Sequence, residues 1–307
     1  MSPDDIAEEQ IEAGDYLAVF HGDSPSLWHF DGTRAARVGL AGSERYLFLE
    51  ATDLETFRLA IERHPMTAGQ SFIVCRLQLP PGCYHPRIAR PSVQPDAIGW
   101  GTFPLALQID QPLVSALNQL RTLLHMLDGI FAVIHPVEAN LRCFGAEIRN
   151  LLMLACTECE TLWRGTLTAN GYPVTERAST NDFVKLLRPM RLDEYAVRFQ
   201  RWPWLTPASP FARWNSAAAS KSLEWYADYN ASKHDREANM ERATISASLH
   251  AVAAVFIMIG ASYGATAIRH FDDVDRFFDL VQAPRWLGRE LYCHPYPSST
   301  YKAVPLF

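Results

Sequence analysis

A short polar run in the C-terminal half of the chain carries groups suited to acid–base chemistry on a phosphate. It lies between Trp225 and Arg236, reads WYADYNASKHDR, and is flanked by apolar segments. Its polar side chains of interest are Asn230, Lys233, His234, Asp235 and Arg236. Histidine is the side chain whose ordinary pKa lies near neutral pH, so a histidine at position 234 suits a general acid or base. The run therefore predicts a site where Lys233 or Arg236 binds a phosphate and Asn230 orients the phosphate or His234.

The same side chains also have a structural interpretation, which the sequence leaves open. Asp235 is the expected N-cap of a following helix, because its carboxylate can accept hydrogen bonds from backbone N–H groups of the next turn. Asn230 and His234 could satisfy one another, and the cations could be solvated. On either interpretation the sequence predicts a helix over Ala217–Tyr226 before the run and a helix over Arg236–Gly260 after it.

The elements that must position this run are mainly helical, and they follow an N-terminal part of different character. Alternating and apolar segments predict strands in the first third of the chain, whereas apolar residues at helical spacing predict a bundle from Gln111 onward. The predicted strands are Tyr16–Phe20, Ser26–Phe30, Arg45–Glu50, Ser71–Leu79 and Pro104–Asp110; Cys83–Phe103 is a predicted loop; the other predicted helices are Asp53–His64, Leu113–Met126, Glu138–Thr166, Asn181–Met190 and Asp272–Val281. The predicted fold class is therefore α+β, with a small N-terminal α+β domain (residues 1–110) followed by an α-helical bundle (residues 111–307).

The longest predicted helix has a face whose spacing marks it as buried. The apolar residues of this stripe are Ile148, Leu151, Leu152, Ala155, Cys159 and Leu162. We expect the stripe to pack against Ala253, Phe256 and Ile257 on the apolar helix that follows the polar run. The segment Leu249–Ile268 is long and apolar, but its polar residues favour a core helix over a membrane span. His250 within it is expected to be a satisfied core histidine.

Two long helices joined by a turn with Asn and His resemble the HEPN superfamily of α-helical bundles. The signature of its active members is Arg-x4-6-His, often with Asn directly after the Arg. Here Tyr229-Asn230-Ala231-Ser232-Lys233-His234 has the Asn and the His at that spacing, and Tyr229 stands at the Arg position. The resemblance covers roughly Asn140 to Gly264. It implies a HEPN-like bundle and a metal-independent RNase or RNA-binding toxin or phage-defence component, acting through His234, with a homodimer and a partner antitoxin as expected associations. A bundle that only binds or dimerises is the alternative.

A second resemblance lies in the N-terminal part. Phe20-His21-Gly22 follows a predicted strand, and Gly42-Ser43-Glu44-Arg45-Tyr46 leads into another. This arrangement resembles the opening of ADP-ribosyltransferase-like folds, which implies that His21 and Tyr46 bind NAD, with Gln108 in the third place. The plainer interpretation is a histidine at a strand end and a tyrosine in a core. A non-catalytic interaction protein is a further alternative.

Composition limits these hypotheses. The formal net charge is -6, so the chain has no overall basic footprint and any RNA contact must be local. The spacing of the six cysteines indicates no disulfide framework, and the Cys156–Cys159 pair lies in a helical pattern without the partners of a zinc site. We therefore expect buried thiols, no metal or cofactor in the helical site, no membrane association, and a cytoplasmic location.

Overall fold

The protein has a mixed α+β fold, as predicted, with a sheet in its N-terminal part and a helical region after it. Its computed structural model describes residues 10–21, 24–38, 47–65, 69, 71–93, 100–103, 110–264, 268, 274, 276–294 and 300–307. The chain forms two compact units. The first comprises residues 1–85, 90–103 and 286–304, and the second comprises residues 86–89, 104–285 and 305–307. The sequence predicted two contiguous domains that meet at residue 110. In the structure, a C-terminal segment, residues 286–304, belongs to the first unit.

The first unit is built on a five-stranded antiparallel sheet with strand order β4-β3-β2-β1-β5. The inner strand β1, between β2 and β5, is buried on both faces because its side chains alternate between two apolar clusters. Leu17 and Val19 join the cluster that contains Phe57, whereas Ala18 and Phe20 join a cluster on the other face. The strands are β1 (Tyr16–His21), β2 (Ser24–Phe30), β3 (Arg34–Val38), β4 (Phe48–Glu50) and β5 (Ile73–Arg76).

Helix α1 (Leu54–Arg63) covers one face of this sheet through Phe57 and Ile61. It begins at Asp53, whose carboxylate accepts the Thr56 N–H at 2.7 Å while the Thr56 hydroxyl accepts the Asp53 N–H at 3.0 Å. This capping box satisfies backbone donors that a helix start leaves unpaired. The predicted helix and its acidic start are therefore confirmed.

The predicted loop Cys83–Phe103 is wrong in part, because the described residues include three short strands there. Two of them pair with strands from the far end of the chain: β7 lies between β8 and β11, and β6 pairs with β12. The strands are β6 (Cys83–Tyr84), β7 (Arg90–Val93), β8 (Trp100–Phe103), β11 (Tyr292–Cys293) and β12 (Lys302–Ala303). These strands are short and lie among prolines, so the sequence shows no alternating apolar pattern there. They are recognised only from the strands with which they pair. The predicted strand Pro104–Asp110 lies outside the described residues apart from Asp110.

The second unit is a helical bundle with one small strand pair. Its helices are α2 (Gln111–Val133), α3 (Ala146–Ala169), α4 (Thr180–Phe183), α5 (Glu224–His234), α6 (Arg236–Asn239) and α7 (Ile245–Tyr263), and its strands are β9 (Ala196–Phe199) and β10 (Phe278–Gln282). Strand β10 pairs antiparallel with β9 where a helix over Asp272–Val281 was predicted. That prediction is wrong for the described residues 278–281.

The two helices predicted on either side of the polar run have different bounds in the structure. The first begins at Glu224 and continues through the run to His234. The predicted helix Arg236–Gly260 is interrupted by two N-caps: the Asp235 carboxylate accepts the Ala238 N–H at 3.1 Å, and the Thr244 hydroxyl accepts the Ala247 N–H at 3.1 Å. Asp235 is thus the N-cap that was predicted, but of the short helix α6 only.

The apolar helix α7 is the centre of the bundle. It is long and apolar enough to span a membrane by length and composition, but 83% of that window is buried inside the second unit, as in the core helix of a soluble domain. It packs against α3: the Ser248 hydroxyl donates to the Ile148 carbonyl at 3.1 Å, and Cys159 lies beside the Ala251 carbonyl. The predicted stripe on α3 is buried in the same core as Ala253, Phe256 and Ile257.

The aromatic and proline-rich connector after β9, residues 202–214, is mostly packed inside the bundle. Trp163 of α3 is fully buried, and the rings of Trp214 and Tyr226 lie 5.4 and 5.7 Å from it. Trp202 is buried, whereas Trp204 remains 58% exposed. Most of the connector therefore packs inside the bundle, whereas Trp204 presents a large apolar side chain at the surface.

The α3–α7 contact predicts a clear difference between two leucines of one helix. Leu152 is fully buried, whereas Leu154 is 40% exposed. Leu152→Ala should lower the free energy of unfolding by about 2–5 kcal/mol, because it removes core contacts and leaves a cavity. The matched change Leu154→Ala should cost less than about 0.5 kcal/mol. Equal losses in urea denaturation would show that the α3 stripe is not the core.

Candidate functional site

The polar run lies on the last turns of α5 and the start of α6. Trp225, Tyr226, Tyr229 and Ser232 recur at helical spacing and form the buried face of α5. The Trp225 indole N–H donates to the Pro210 carbonyl at 2.9 Å, which ties this face to the aromatic connector. The polar residues of the run consequently face away from the core.

His234, Lys233 and Arg236 are all exposed at this end of α5, and Asn230 is half-buried. Asn230 and His234 lie four residues apart on one continuous helix, so they share a face. Among the residues that the structure describes, neither His234 nor Arg236 has a hydrogen bond or ion pair from its side chain. The predicted groups are therefore brought together, and two of them are available to a ligand.

Lys233 is held in place by Tyr229. Its ammonium group donates to the Tyr229 hydroxyl at 2.8 Å and lies 4.9 Å from the centre of that ring. The hydrogen bond to Tyr229 is the largest cause of a raised pKa at Lys233, so the lysine stays charged at neutral pH. Tyr229 is only 2% exposed, and burial is the main cause of its own raised pKa. Tyr229, which stands where the HEPN resemblance expects an arginine, therefore holds Lys233 in place.

A second tyrosine links this arrangement to α3. The Tyr226 hydroxyl donates to the Glu160 carboxylate at 2.7 Å, and the Tyr226 and Tyr229 rings lie 5.2 Å apart. Burial, followed by the bond to Glu160, raises the pKa of Tyr226 far above its ordinary value. Tyr226 is thus a neutral donor that holds one face of α5 against the acidic side chain of α3, whereas Tyr229 accepts from Lys233.

Arg149 of α3 is a site residue that sequence reasoning missed. Its Nε and Nη2 atoms donate to the Ser232 carbonyl at 3.2 and 3.1 Å. Carbonyls in the last turn of a helix have no partner within that helix, so the arginine caps the C-terminal end of α5. It also places a third positive charge two residues before His234. The only signal in the sequence was an arginine directly after the buried Ile148.

Acidic side chains limit the extent of the positively charged surface around Lys233 and Arg236. Asp228 forms an ion pair with Arg242, with Nη2 to Oδ1 at 2.7 Å, and this pair attaches the segment after α6 to α5. Asp235 and Glu237 are exposed beside Arg236. The cationic area is therefore small and local, in keeping with the net charge of -6.

His234 does not line either of the two cavities described for the bundle. A polar cavity of about 320 Å³ lies beside α5 and is lined by Trp225, Asp228 and His250, and the other, about 560 Å³, lies between α2 and α3. His234 is exposed to solvent at the end of α5.

His250 is a partly buried histidine with a satisfied nitrogen, as predicted. Its Nδ1 lies 2.9 Å from the Ser246 carbonyl. Because a carbonyl only accepts, Nδ1 is the donor in this hydrogen bond.

His21 lies at the end of β1 and is half-buried. Its ring centre is 5.6 Å from that of Phe72, and burial, followed by the charge of Arg37, lowers its pKa. Its Nδ1 is buried and makes no hydrogen bond within the described part of the chain. Tyr46 and Gln108 lie outside the described residues, so the structure does not place the other predicted NAD-binding groups.

The structure offers no obvious position for a metal ion among its described residues, where no three His, Cys, Asp or Glu side chains come together. Cys156 and Cys159 are buried on α3 as free thiols, and burial raises the pKa of both.

No protein-family model, curated protein or solved structure matches this chain. The HEPN-like and ADP-ribosyltransferase-like resemblances therefore stay predictions.

Proposed function

We propose that the protein is an RNA-binding and RNA-cleaving protein that acts through His234. The observation that carries this proposal is the exposed imidazole of His234 between two exposed cations, one of which is fixed by a buried tyrosine. A phosphodiester needs both positive charge and a proton acceptor near its reacting oxygens. This end of α5 supplies both within one turn of helix.

In the proposed reaction the RNA supplies its own nucleophile. His234 takes the proton from the 2′-hydroxyl as the 2′-oxygen forms a bond to phosphorus and the bond from phosphorus to the 5′-oxygen breaks. Lys233 or Arg236 neutralises the charge that builds on the phosphate oxygens. Asn230 orients the imidazole or the phosphate. The products are a 2′,3′-cyclic phosphate and a 5′-hydroxyl.

The departing 5′-oxygen also needs a proton, and one histidine can carry out only one of the two transfers at a time. The open surface around His234 leaves room for a second copy of the chain to provide the other group. The proposal therefore includes a homodimer in the cytoplasm. A toxin or phage-defence setting, with an antitoxin as partner, is what the HEPN resemblance implies for such an activity.

RNA binding without cleavage is the weaker form of the same proposal. It uses Lys233, Arg236 and Arg149 in the same way and leaves His234 as an ordinary hydrogen-bonding group. The two forms differ in one result: a binding protein retains intact RNA.

A second candidate function belongs to the first unit. The buried Nδ1 of His21 has no hydrogen-bond partner among the described residues, and a buried polar atom of that kind favours a ligand that supplies the missing bond. The ADP-ribosyltransferase resemblance makes NAD the candidate ligand, with Tyr46 as its second contact and the bundle as a dimerisation or partner module.

The cleavage proposal predicts that His234→Ala lowers the rate of RNA cleavage by about 10²–10⁴-fold, the usual contribution of a general acid or base. The control is His125→Ala, which removes another exposed histidine from helix α2. Cleavage of total RNA is measured on gels, and both variants are melted to show that they fold. Full activity in His234→Ala, or no activity in the wild-type protein, would contradict the catalytic role.

The binding proposal predicts that Arg236→Ala weakens RNA affinity and lowers the slope of log affinity against log salt by about 0.7 to 1, since one phosphate contact is lost. Arg177→Ala removes an exposed arginine outside the polar run and should leave the slope unchanged. Fluorescence anisotropy over a salt series gives both slopes. Equal slopes for wild type and Arg236→Ala would show that this arginine does not contact phosphate.

The NAD alternative predicts that wild-type protein binds NAD and that His21→Ala abolishes the binding. His29→Ala is a control on the neighbouring strand β2. Isothermal titration calorimetry of both variants with NAD tests this prediction. An unchanged NAD affinity in His21→Ala would show that this histidine does not bind the nucleotide.

A further inference from the structure

The polar cavity of about 320 Å³ in the second unit has no part in the proposed RNA chemistry. Three segments of the chain form its walls. The connector contributes Ser209 and Arg213, the first turns of α5 contribute Glu224 and Asp228, and the first turns of α7 contribute His250. None of these side chains belongs to the His234 end of α5, so the cavity needs an explanation of its own.

Bonds between the three segments form the cavity before any ligand binds. The Trp225 indole N–H donates to the Pro210 carbonyl at 2.9 Å, which joins α5 to the connector. Arg242 joins the segment before α7 to α5, because its Nε and Nη2 atoms donate to Asp228 Oδ1 at 2.9 and 2.7 Å. A cavity with walls held in this way loses little conformational entropy when a ligand enters.

Several polar atoms at the cavity have no hydrogen-bond partner among the described residues. They are the hydroxyls of Ser209 and Ser246, Nε2 of His250 and Oδ2 of Asp228, and all four side chains are half-buried. The bond from His250 Nδ1 to the Ser246 carbonyl leaves Nε2 as the free nitrogen of that ring. Polar groups that are partly buried are completed by water or by a ligand.

The charged side chains at the cavity already compensate one another. Arg213 Nη1 lies 3.1 Å from Glu224 Oε1, and Arg242 is paired with Asp228. A ligand with a net charge would therefore find a partner only by competing with one of these ion pairs. The free atoms instead match a neutral ligand whose groups can both donate and accept hydrogen bonds, and hydroxyl groups have that property.

We propose that this cavity binds one sugar ring, either a free monosaccharide or the ribose of a nucleoside. Its volume is near the lower end of the range of about 300–1,000 Å³ for ligand pockets, which leaves room for a single ring. Ring hydroxyls donate to Asp228 Oδ2 and bond to His250 Nε2 and the hydroxyls of Ser209 and Ser246. The C–H groups of the ring contact the apolar lining residues Pro210 and Ala247.

The test is isothermal titration calorimetry of the full chain with D-ribose, D-glucose, uridine and adenosine. Saturable binding of at least one of these compounds is expected, and a comparison of ribose with the nucleosides shows which source of the ring is preferred. L-alanine tests a zwitterion and putrescine tests a cation, and neither should bind. Binding of alanine or putrescine alone, or no saturation by any sugar at tens of millimolar, would overturn the proposal and leave a water-filled cavity.

Two variants locate the binding in this cavity. Ser246→Ala removes a free hydroxyl and should weaken the sugar affinity about 2- to 12-fold, the usual contribution of one hydrogen bond. Asp228→Asn should weaken it at least about 10-fold, because hydrogen bonds to a charged group are stronger. Arg242→Ala is the matched control, since it breaks the same ion pair without removing an atom that lines the cavity, and it should not weaken the affinity.

Thermal melts check that each variant folds, and Ser246→Ala keeps the test decisive if Asp228→Asn does not. Unchanged sugar affinity in both Ser246→Ala and Asp228→Asn would place the binding elsewhere and overturn the proposal. An equal loss in Arg242→Ala and Asp228→Asn would show that the ion pair matters rather than the free carboxylate oxygen. His234→Ala should keep the wild-type sugar affinity, so this proposal and the RNA proposal succeed or fail separately.

Discussion

The burial of α7 is the constraint on which the helical unit depends. Nearly every residue from Ile245 to Tyr263 is buried, including small and large apolar side chains on all sides. Full burial of one large aliphatic side chain is worth about 1.5–3 kcal/mol, so exposing any face of this helix would be costly. Helices α2, α3 and α5 must therefore surround it, and their own apolar stripes follow from that requirement. The position of α5 is set by this packing rather than by its polar residues.

The candidate site follows from how α5 is fixed. Its buried face carries two tyrosines, which bond to Glu160 on α3 and to Lys233 at the helix end. Arg149 closes the last turn by bonding to the Ser232 carbonyl. The imidazole of His234 is left exposed beside Lys233, which bonds to the Tyr229 hydroxyl, and near the exposed Arg236.

The sequence predicted many features whose causes are local, although it missed β3, which pairs with the neighbouring strand β2. Periodic apolar residues gave the α3 stripe and its contact with the helix after the run, and the Asp235 cap was evident from its residue type. The break between α6 and α7 was missed. The sequence predicted one helix over Arg236–Gly260, whereas Thr244 is the N-cap of a separate helix. Strands β7, β10 and β11 were missed because their pairing depends on distant segments. Arg149 was missed for the same reason: its acceptor lies on another helix.

The central claim is that RNA contacts the His234 end of α5. Photo-crosslinking of the protein to a thiouridine-containing RNA, followed by mass spectrometry of the peptides, tests it most directly because it reports contact independently of activity. The expected crosslinks lie on the peptide that contains Asn230, Lys233, His234 and Arg236. Crosslinks confined to other segments, or none at concentrations where RNA is bound, would contradict the claim.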